Sequence, residues 1–195
     1  MRSAVILVGG EAQRANGKEK YFFTYKGKTF IEQLVGTLRT VTDEIILVAR
    51  DPAQCKRFRE IAEVRCITDI RPKIGPVGGL HAGSLTAHGD LIFVSACDMP
   101  CIDAAVVTCL FEAIGDFDAV IPRWSPEMFE PLHAVYRRSA LLQYLENHEP
   151  LSLRIMVRSL NTRYIPVDKL RAIDPSLRTF TNINTIEDLE KINKP

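Results

Sequence analysis

Short apolar runs alternate along the chain with longer segments in which apolar residues recur every three or four positions. The first run, 4–8, is apolar throughout, which is typical of a strand covered on both faces. The helical segment at 29–40 places Phe30, Leu34 and Leu38 on one face. The other predicted strands lie at 44–49, 64–69, 90–96, 117–122, 132–137 and 163–167. The other predicted helices lie at 52–62, 77–87, 103–114, 139–147, 152–160 and 185–192.

This alternation predicts an α/β fold: a three-layer α/β/α sandwich around a mixed, mostly parallel, Rossmann-like sheet. No repeat, low-complexity tract or linker interrupts it, so we expect a single domain over 1–195. In open sheets of this class, ligands bind outside the carboxyl ends of the strands. The loop 9–20, Asp69 with the loop 70–79, and the segment 97–100 all follow strands and should meet at that rim.

Composition narrows the classes of protein that fit. A chain of 195 residues can bury a sizeable core, and a net charge of +1 gives no broad basic surface for nucleic acid. No apolar stretch approaches the roughly 18 residues of a membrane span, and the run at 4–8 is too short for a signal peptide. We therefore expect no nucleic-acid partner and no membrane partner, and any anion site must be local.

The cysteines suggest no covalent framework. Their odd number and plain spacing predict no disulfides, which favours a reduced, cytoplasmic location. Cys97 and Cys101 flank a turn that contains proline, but no further Cys or His pair supports a zinc site. The cysteines are Cys55, Cys66, Cys97, Cys101 and Cys109.

The loop after the first strand, in LVGGEAQRANGKEK, has the composition of a phosphate-binding loop. It matches neither G-x-x-x-x-G-K-[ST] nor G-x-G-x-x-G. Gly9 and Gly10 permit close approach of the backbone to a ligand, and Arg14, Lys18 and Lys20 can pair with phosphate oxygens. The alternative interpretation is a solvated loop that follows a strand.

Three further loops carry candidate chemistry. Asp98 ends a strongly apolar strand, where a carboxylate can hold Mg²⁺ together with substrate phosphates; the alternative is a turn-capping aspartate. Asp69 precedes a glycine-rich loop and a helix, and a helix N-terminus in this place favours an anionic ligand; the alternative is a tight turn whose glycines serve packing. Asn182 and Asn184 flank Ile183, so an extended backbone points both amides to the same side; a turn with a helix cap is the alternative.

Taken in order, these blocks resemble the molybdenum cofactor guanylyltransferase family, also called molybdopterin-guanine dinucleotide synthases. The resemblance covers nearly the whole chain and implies a nucleotidyltransferase of the Rossmann-like type. The matching blocks are Leu7-Val8-Gly9-Gly10 with Arg14 and Lys20, Gly75-Pro76-Val77-Gly78-Gly79 with Gly83, Cys97-Asp98-Met99-Pro100, Pro131-Leu132-His133-Ala134-Val135-Tyr136-Arg137, and Asn182-Ile183-Asn184-Thr185-Ile186-Glu187-Asp188-Leu189.

The resemblance implies a reaction in which GTP and molybdopterin, usually loaded with molybdenum, give the guanine dinucleotide and pyrophosphate. It implies that the backbone of Leu7, Val8 and Gly9 contacts the guanine base, with Gly10 beside them and Asp69 near the nucleoside. Molybdoenzymes and cofactor-delivery proteins are further candidate partners.

The resemblance also implies the catalytic set. Lys20 and Arg14 face the phosphates, and Asp98 binds Mg²⁺ beside the GTP. No Ser-His-Asp or Cys-His signature competes with this assignment. The implied pterin-side residues are Asn182, Asn184 and Gly78.

Some positions depart from the family pattern. Arg14-Ala15-Asn16 replaces R-M-G, Arg50 stands where Asn is common, and Glu130 stands where Gln or His is common. Other interpretations therefore stay open: a molybdopterin cytidylyltransferase, an adenosylcobinamide-phosphate guanylyltransferase, a non-catalytic nucleotide-binding adaptor of the same fold, or an interaction domain without a nucleotide.

Overall fold

The computed structural model describes residues 1–9, 20–61, 63–71, 74–148 and 152–193. Its strands are β1 Arg2–Leu7, β2 Thr24–Tyr25, β3 Lys28–Thr29, β4 Glu44–Ala49, β5 Arg65–Thr68, β6 Leu91–Ala96, β7 Ala119–Ser125, β8 Met128–Phe129, β9 His133–Arg137 and β10 Thr162–Pro166. Its α-helices are α1 Phe30–Leu38, α2 Pro52–Lys56, α3 Pro76–Thr86, α4 Ala104–Glu112, α5 Arg138–Asn147, α6 Leu153–Ser159, α7 Val167–Leu170 and α8 Ile186–Asn193. Short 3₁₀ helices lie at Lys20–Phe22 and Arg178–Phe180.

The central sheet is mixed and mostly parallel, which confirms the predicted fold class. Its strand order is β10-β7-β9-β6-β1-β4-β5, and β8 pairs with the outer part of β7. β9 runs antiparallel to both of its neighbours, whereas β5, β4, β1 and β6 are all parallel. The chain moves outward from β1 to β4 and β5 and then returns to β6 on the other side of β1, so the direction of winding reverses at β1.

Helices cover both faces of this sheet and make three layers. Alternate residues of β1 point to opposite faces: Ala4 and Ile6 pack with α1 and α4, whereas Val5 packs with α3, α5 and α6. All three side chains are fully buried. A strand buried on both faces explains the unbroken apolar run at 4–8.

Three short elements differ from the sequence-based expectation. The helix predicted at 52–62 ends at Lys56 and continues as turns. The β2–β3 hairpin and β8 have strands of two residues, which are too short to show an alternating pattern. In the hairpin, Lys26 and Gly27 both have positive φ, as a type I′ turn requires.

The expectation that no disulfide forms is wrong. Cys55 of α2 and Cys66 of β5 are joined in a disulfide with a Cα–Cα distance of 5.8 Å, while Cys97, Cys101 and Cys109 are free. The spacing gave no signal because the pairing arises only when α2 packs against the edge strand β5. Within the described ranges, no helix is both long and apolar enough to cross a membrane.

Helix α3 approaches the sheet unusually closely through two glycines. A Cβ atom at Gly79 would lie 3.1 Å from Cδ2 of Leu7, and one at Gly83 would lie 2.5 Å from Cγ1 of Val5. Leu7 and Val5 both belong to β1, so α3 lies directly over the central strand. This contact holds the helix that begins at the carboxyl rim of the sheet.

An alanine at position 83 should destabilise the protein, because its methyl group would collide with the buried, β-branched Val5. Overpacking costs about 1–3 kcal/mol, which offsets the roughly 1 kcal/mol of helix propensity that alanine gains over glycine. The matched control is Gly36→Ala in α1, where nothing lies within 4 Å of the new methyl group and a gain of about 1 kcal/mol is expected. Urea unfolding should give opposite signs for the two variants; stabilisation of both would contradict the close packing of α3.

Candidate active site

The carboxyl ends of four parallel strands reach the same edge of the sheet. Leu7 pairs with Val48 of β4 on one side and with Ala96 of β6 on the other, and Ala49 pairs with Thr68 of β5. The residues that follow these strands therefore lie along one rim. Among the described residues, the predicted convergence is confirmed for the start of the first loop at Gly9, for Asp69 and for Asp98, while residues 10–19 of that loop lie outside the described part.

At the end of β1 the backbone is pressed against the end of β4. The N–H of Val8 donates to the carbonyl of Val48 at 3.0 Å. A Cβ atom at Gly9 would lie 2.7 Å from the nitrogen of Arg50 and 3.0 Å from the carbonyl carbon of Ala49. Since backbone atoms cannot yield as a flexible side chain can, only glycine fits at this position, and its peptide groups stay at the rim.

The remaining residues of the first loop divide into two groups. Gly10 and Arg14 lie outside the described residues. The backbone of Lys20 begins the 3₁₀ helix Lys20–Phe22, while its side chain is also outside the described part. The next residue, Tyr21, is fully buried and packs edge-to-face on Phe58 with ring centroids 4.9 Å apart.

Gln54 is a residue of this region that the sequence did not single out. It is 2% exposed and donates from Nε2 to the carbonyl of Val8 at 3.0 Å and to the hydroxyl of Tyr21 at 3.2 Å. Its Oε1 accepts the N–H of Arg50 at 2.7 Å. The one available signal was its position four residues before Phe58, which places an amide on the apolar face of the predicted helix.

Asp69 lies directly after β5 and is part of the rim. Its N–H donates to the carbonyl of Ala49 at 2.8 Å, and its Oδ1 accepts the N–H of Arg71 at 2.7 Å. A Cβ atom at Gly78, in the first turn of α3, would lie 2.5 Å from the same Oδ1. The carboxylate thus takes the space of a side chain at 78, near a helix N-terminus that favours negative charge. Gly78 therefore packs against Asp69, and its expected place on the pterin side stays a prediction.

A cavity of about 300 Å³ lies next to the end of β6 and contains Asp98. Asn182 and Asn184 line it from the C-terminal segment, and the intervening Ile183 is fully buried. The N–H of Ile183 donates to the carbonyl of Asp98 at 2.9 Å, which fixes the segment against the rim. Both asparagines line the same cavity, as expected if they flank a buried residue of an extended segment. The other lining residues are Ala96, Met99, Glu130, Pro131, Leu132 and Leu153.

The donor set in this cavity suits a hard divalent cation. One carboxylate oxygen of Asp98, Oδ1, is buried, and Asn182 and Asn184, whose side chains carry amide oxygens, line the same cavity. Oxygen ligands of this kind are those that Mg²⁺ prefers, usually one or two from the protein with the rest from phosphates and water. Across the described residues, no cluster of three His, Cys, Asp or Glu side chains forms a self-sufficient metal site. The residues therefore fit a magnesium ion that a phosphorylated ligand helps to hold.

Glu130 adds a second carboxylate to the cavity wall. Its Oε1 accepts the indole N–H of Trp124 at 2.7 Å, and its backbone N–H donates to the carbonyl of Pro122 at 2.9 Å. Trp124 packs edge-to-face on Phe180 with ring centroids 5.6 Å apart. The orientation of Glu130 is therefore set by an aromatic contact between β7 and the C-terminal segment.

A buried polar network supports the segment that carries the two asparagines. Thr179 contacts Nε2 of His133 through its hydroxyl at 3.2 Å, and the same hydroxyl accepts the N–H of Asp103 at 3.1 Å. The backbone N–H of Thr179 donates to Oδ2 of Asp174 at 2.8 Å. His133 is fully buried between the rings of Phe93 and Phe180, and this burial lowers its pKa to about 3.

The buried His133 should make the protein less stable in mild acid. Above pH 6.5 its imidazole is neutral in both states; below pH 6.5 the unfolded chain binds a proton that the folded chain does not bind until about pH 3. The free energy of unfolding should therefore fall by up to about 1.4 kcal/mol per pH unit over this window. When urea unfolding is measured at pH 7, 6 and 5, the free energy of unfolding should depend less steeply on pH in His133→Gln than in the wild-type protein. His148→Gln, at an exposed site after α5, should leave this slope unchanged. An unaltered slope in His133→Gln would contradict the assignment.

The sheet is open and mostly parallel, Gly9 lies at the end of its central strand, and Asp98 follows the next strand in a cavity that Asn182 and Asn184 also line. This arrangement is typical of a nucleotide-binding α/β protein of the transferase type. Residues 4–163 match the family model described as the MobA-like NTP transferase domain. The chain belongs to that family.

Curated relatives agree over almost the full chain. It is 38% identical to the "Probable molybdenum cofactor guanylyltransferase" of Methanosarcina acetivorans over 201 aligned residues, covering 98% of this chain and 89% of the relative. It is 35% identical to the "Molybdenum cofactor guanylyltransferase" of Desulfosudis oleivorans, covering 97% and 93%. Among solved structures, the "Molybdopterin-guanine dinucleotide biosynthesis protein A" of Archaeoglobus fulgidus is similar with a TM-score of 0.80 and 33% identity, covering 99% and 97%.

Proposed function

We propose that the protein transfers GMP from GTP to the terminal phosphate of molybdopterin or its molybdenum-loaded form, giving molybdopterin-guanine dinucleotide and pyrophosphate. The observation that carries this proposal is the cavity in which Asp98, Asn182 and Asn184 meet beside the strand ends. Membership of the MobA-like NTP transferase family and the names of the curated relatives support the choice of reaction.

The reaction requires no nucleophile from the protein. A phosphate oxygen of the acceptor attacks the α-phosphorus of GTP, a new P–O bond forms, and the bond to the β-phosphate oxygen breaks as pyrophosphate leaves with the electron pair. The protein must bring two anions together and stabilise the added charge, so positioning and electrostatics dominate. This requirement agrees with a site made of backbone, lysine, carboxylate and amide groups rather than of a catalytic triad.

The nucleotide half of the site is assigned to the ends of β1 and β5. The backbone of Leu7, Val8 and Gly9, with Gly10, contacts the base, and Asp69 lies toward the nucleoside. Gly9 supports this role because its peptide group is held at the rim by the contact with Arg50. Lys20 and Arg14 are assigned to the phosphates through charge-assisted hydrogen bonds.

The acceptor half is assigned to the cavity beside β6. Asp98 would hold Mg²⁺, with Asn182 and Asn184 completing the oxygen ligands or binding the pterin side. When bound, the ion neutralises phosphate charge and orients the α-phosphate. The apolar part of the wall, formed by Met99, Leu132 and Leu153 among others, suits the flat ring system of a pterin.

Removal of the Asp98 carboxylate should abolish most of the activity. Loss of one such stabilising contact costs about 3–4 kcal/mol, so kcat for pyrophosphate release with GTP and molybdopterin should fall about 10²–10³-fold in Asp98→Ala and in Lys20→Ala. Asp90→Ala is the matched control, because Asp90 precedes β6 at the opposite edge of the sheet and its side chain is 86% exposed. Near-normal turnover in either site variant would refute the assignment of that residue.

The choice of nucleotide should be visible in the thermal stability of the wild-type protein. A ligand that binds only the folded state adds about 2.7 kcal/mol at 100 times its dissociation constant. GTP with Mg²⁺ should raise the melting temperature more than CTP or ATP does. A preference for CTP would indicate a cytidylyltransferase, no shift would exclude nucleotide binding, and a GTP shift without pyrophosphate release on adding acceptor would indicate a non-catalytic adaptor.

A further inference from the structure

The buried amide of Gln54 links three separate segments at the nucleotide half of the rim. Its Nε2 donates hydrogen bonds to the carbonyl of Val8 and to the hydroxyl of Tyr21, and its Oε1 accepts one from the N–H of Arg50. The side chain is 2% exposed, so water does not replace these partners easily. Each of the three would lose a hydrogen bond if the amide were removed, and a buried polar group without a partner is costly.

Two of these bonds act on the contact between Gly9 and Arg50. The carbonyl of Val8 belongs to the peptide bond that joins Val8 to Gly9. The nitrogen of Arg50 is the atom closest to the space where a side chain at Gly9 would project, at 2.7 Å. The side chain of Gln54 therefore bonds to both backbone segments that meet at Gly9. In this way it controls how the Val8–Gly9 peptide is oriented at the rim.

The third bond connects the same amide to the residue after Lys20. Tyr21 lies in the 3₁₀ helix Lys20–Phe22, and its ring is fixed between the side chains of Phe22 and Phe58, at centroid distances of 4.7 and 4.9 Å. The backbone position from which Lys20 projects is thus tied, through Tyr21 and Gln54, to the end of β1.

We propose that Gln54 is a positioning residue that couples the base-contacting backbone of Leu7–Gly9 to the phosphate-binding Lys20, and so sets the affinity for the nucleoside triphosphate. The inference rests on the proposed function, since it takes these two segments as the nucleotide contacts. Gln54 is not among the residues that line the cavity of Asp98. Its removal should therefore weaken nucleotide binding while the binding of the acceptor is largely spared.

The test compares Gln54→Met and Gln54→Glu with the wild-type protein. Methionine keeps the length of the side chain and removes all three bonds, whereas ionised glutamate keeps an acceptor for Arg50 and loses both donors. Calorimetric titration with GTP and Mg²⁺ should show a dissociation constant raised about tenfold or more in both variants. In turnover assays, KM for GTP should rise likewise, while KM for the acceptor stays within about threefold.

Tyr21→Phe tests the coupling itself. It removes the bond between the Gln54 amide and the tyrosine hydroxyl and leaves the bonds from Gln54 to Val8 and Arg50, so it should raise the dissociation constant less than Gln54→Met does. In the double variant Tyr21→Phe/Gln54→Met, the increases in the dissociation constant seen in the two single variants should not add, because Gln54→Met already removes the amide that bonds to the Tyr21 hydroxyl. Additive effects would contradict a shared mechanism.

Gln33→Met is the matched control. Gln33 lies on α1, and its Nε2 donates to the carbonyl of Tyr25 at 2.8 Å, so the variant also loses a partly buried amide-to-carbonyl bond. Its melting temperature should fall, but its dissociation constant for GTP should not change. A fall in melting temperature without a change in GTP affinity for Gln54→Met would reduce Gln54 to a structural residue and overturn the inference.

Two further outcomes separate this inference from the proposed function. If the wild-type protein binds no nucleoside triphosphate, the proposed function is wrong, and so is the inference that depends on it. If the wild-type protein binds GTP and the Gln54 variants bind it with the same affinity, the inference about Gln54 is wrong but the proposed function stands. If Gln54→Met fails to fold, Gln54→Glu and Tyr21→Phe decide the question, and unchanged GTP affinity in both would overturn it.

Discussion

Strand β1 is paired on both sides with parallel strands, and this double pairing determines where the strand ends that carry the described site residues lie. β4 and β6 keep it in register from Ser3 to Leu7, so the carboxyl ends of three strands stop at one rim. Parallel strands need long crossovers, and each crossover returns the chain to the amino edge of the sheet, so that the next strand again ends at the same carboxyl rim. Val8, Asp69 and Asp98 therefore lie along one edge although they are far apart in the sequence.

That arrangement creates close contacts, which the chain accommodates with glycine and with buried hydrogen bonds. Gly83 lets α3 lie over β1, and Gly9 lets the end of β1 touch the backbone of β4. Where the strand ends leave carbonyl and N–H groups without a ladder partner, side chains supply one, as Gln54 does for Val8 and Arg50. The same residues that satisfy the backbone also orient the groups proposed to meet the nucleotide.

The sequence predicts the parts of this structure that depend on local pattern. The double-sided burial of β1 appears as an unbroken apolar run, and the alternation around Ile183 predicts that Asn182 and Asn184 face one cavity. It does not predict the Cys55–Cys66 disulfide or the role of Gln54, because both depend on how a short helix packs against the sheet. A polar residue on an apolar helix face is the only trace of such a contact in the sequence.

The two halves of the proposed site are supported by different parts of the molecule. The nucleotide half depends on Gln54 and the backbone contact at Gly9, whereas the acceptor half depends on the bond from Ile183 to the Asp98 carbonyl and on the buried network of Thr179 and His133. None of the bonds described for one half involves a residue of the other. A change in the Gln54 support should therefore alter the binding of GTP without that of the acceptor, so the affinity for the nucleotide can be adjusted separately.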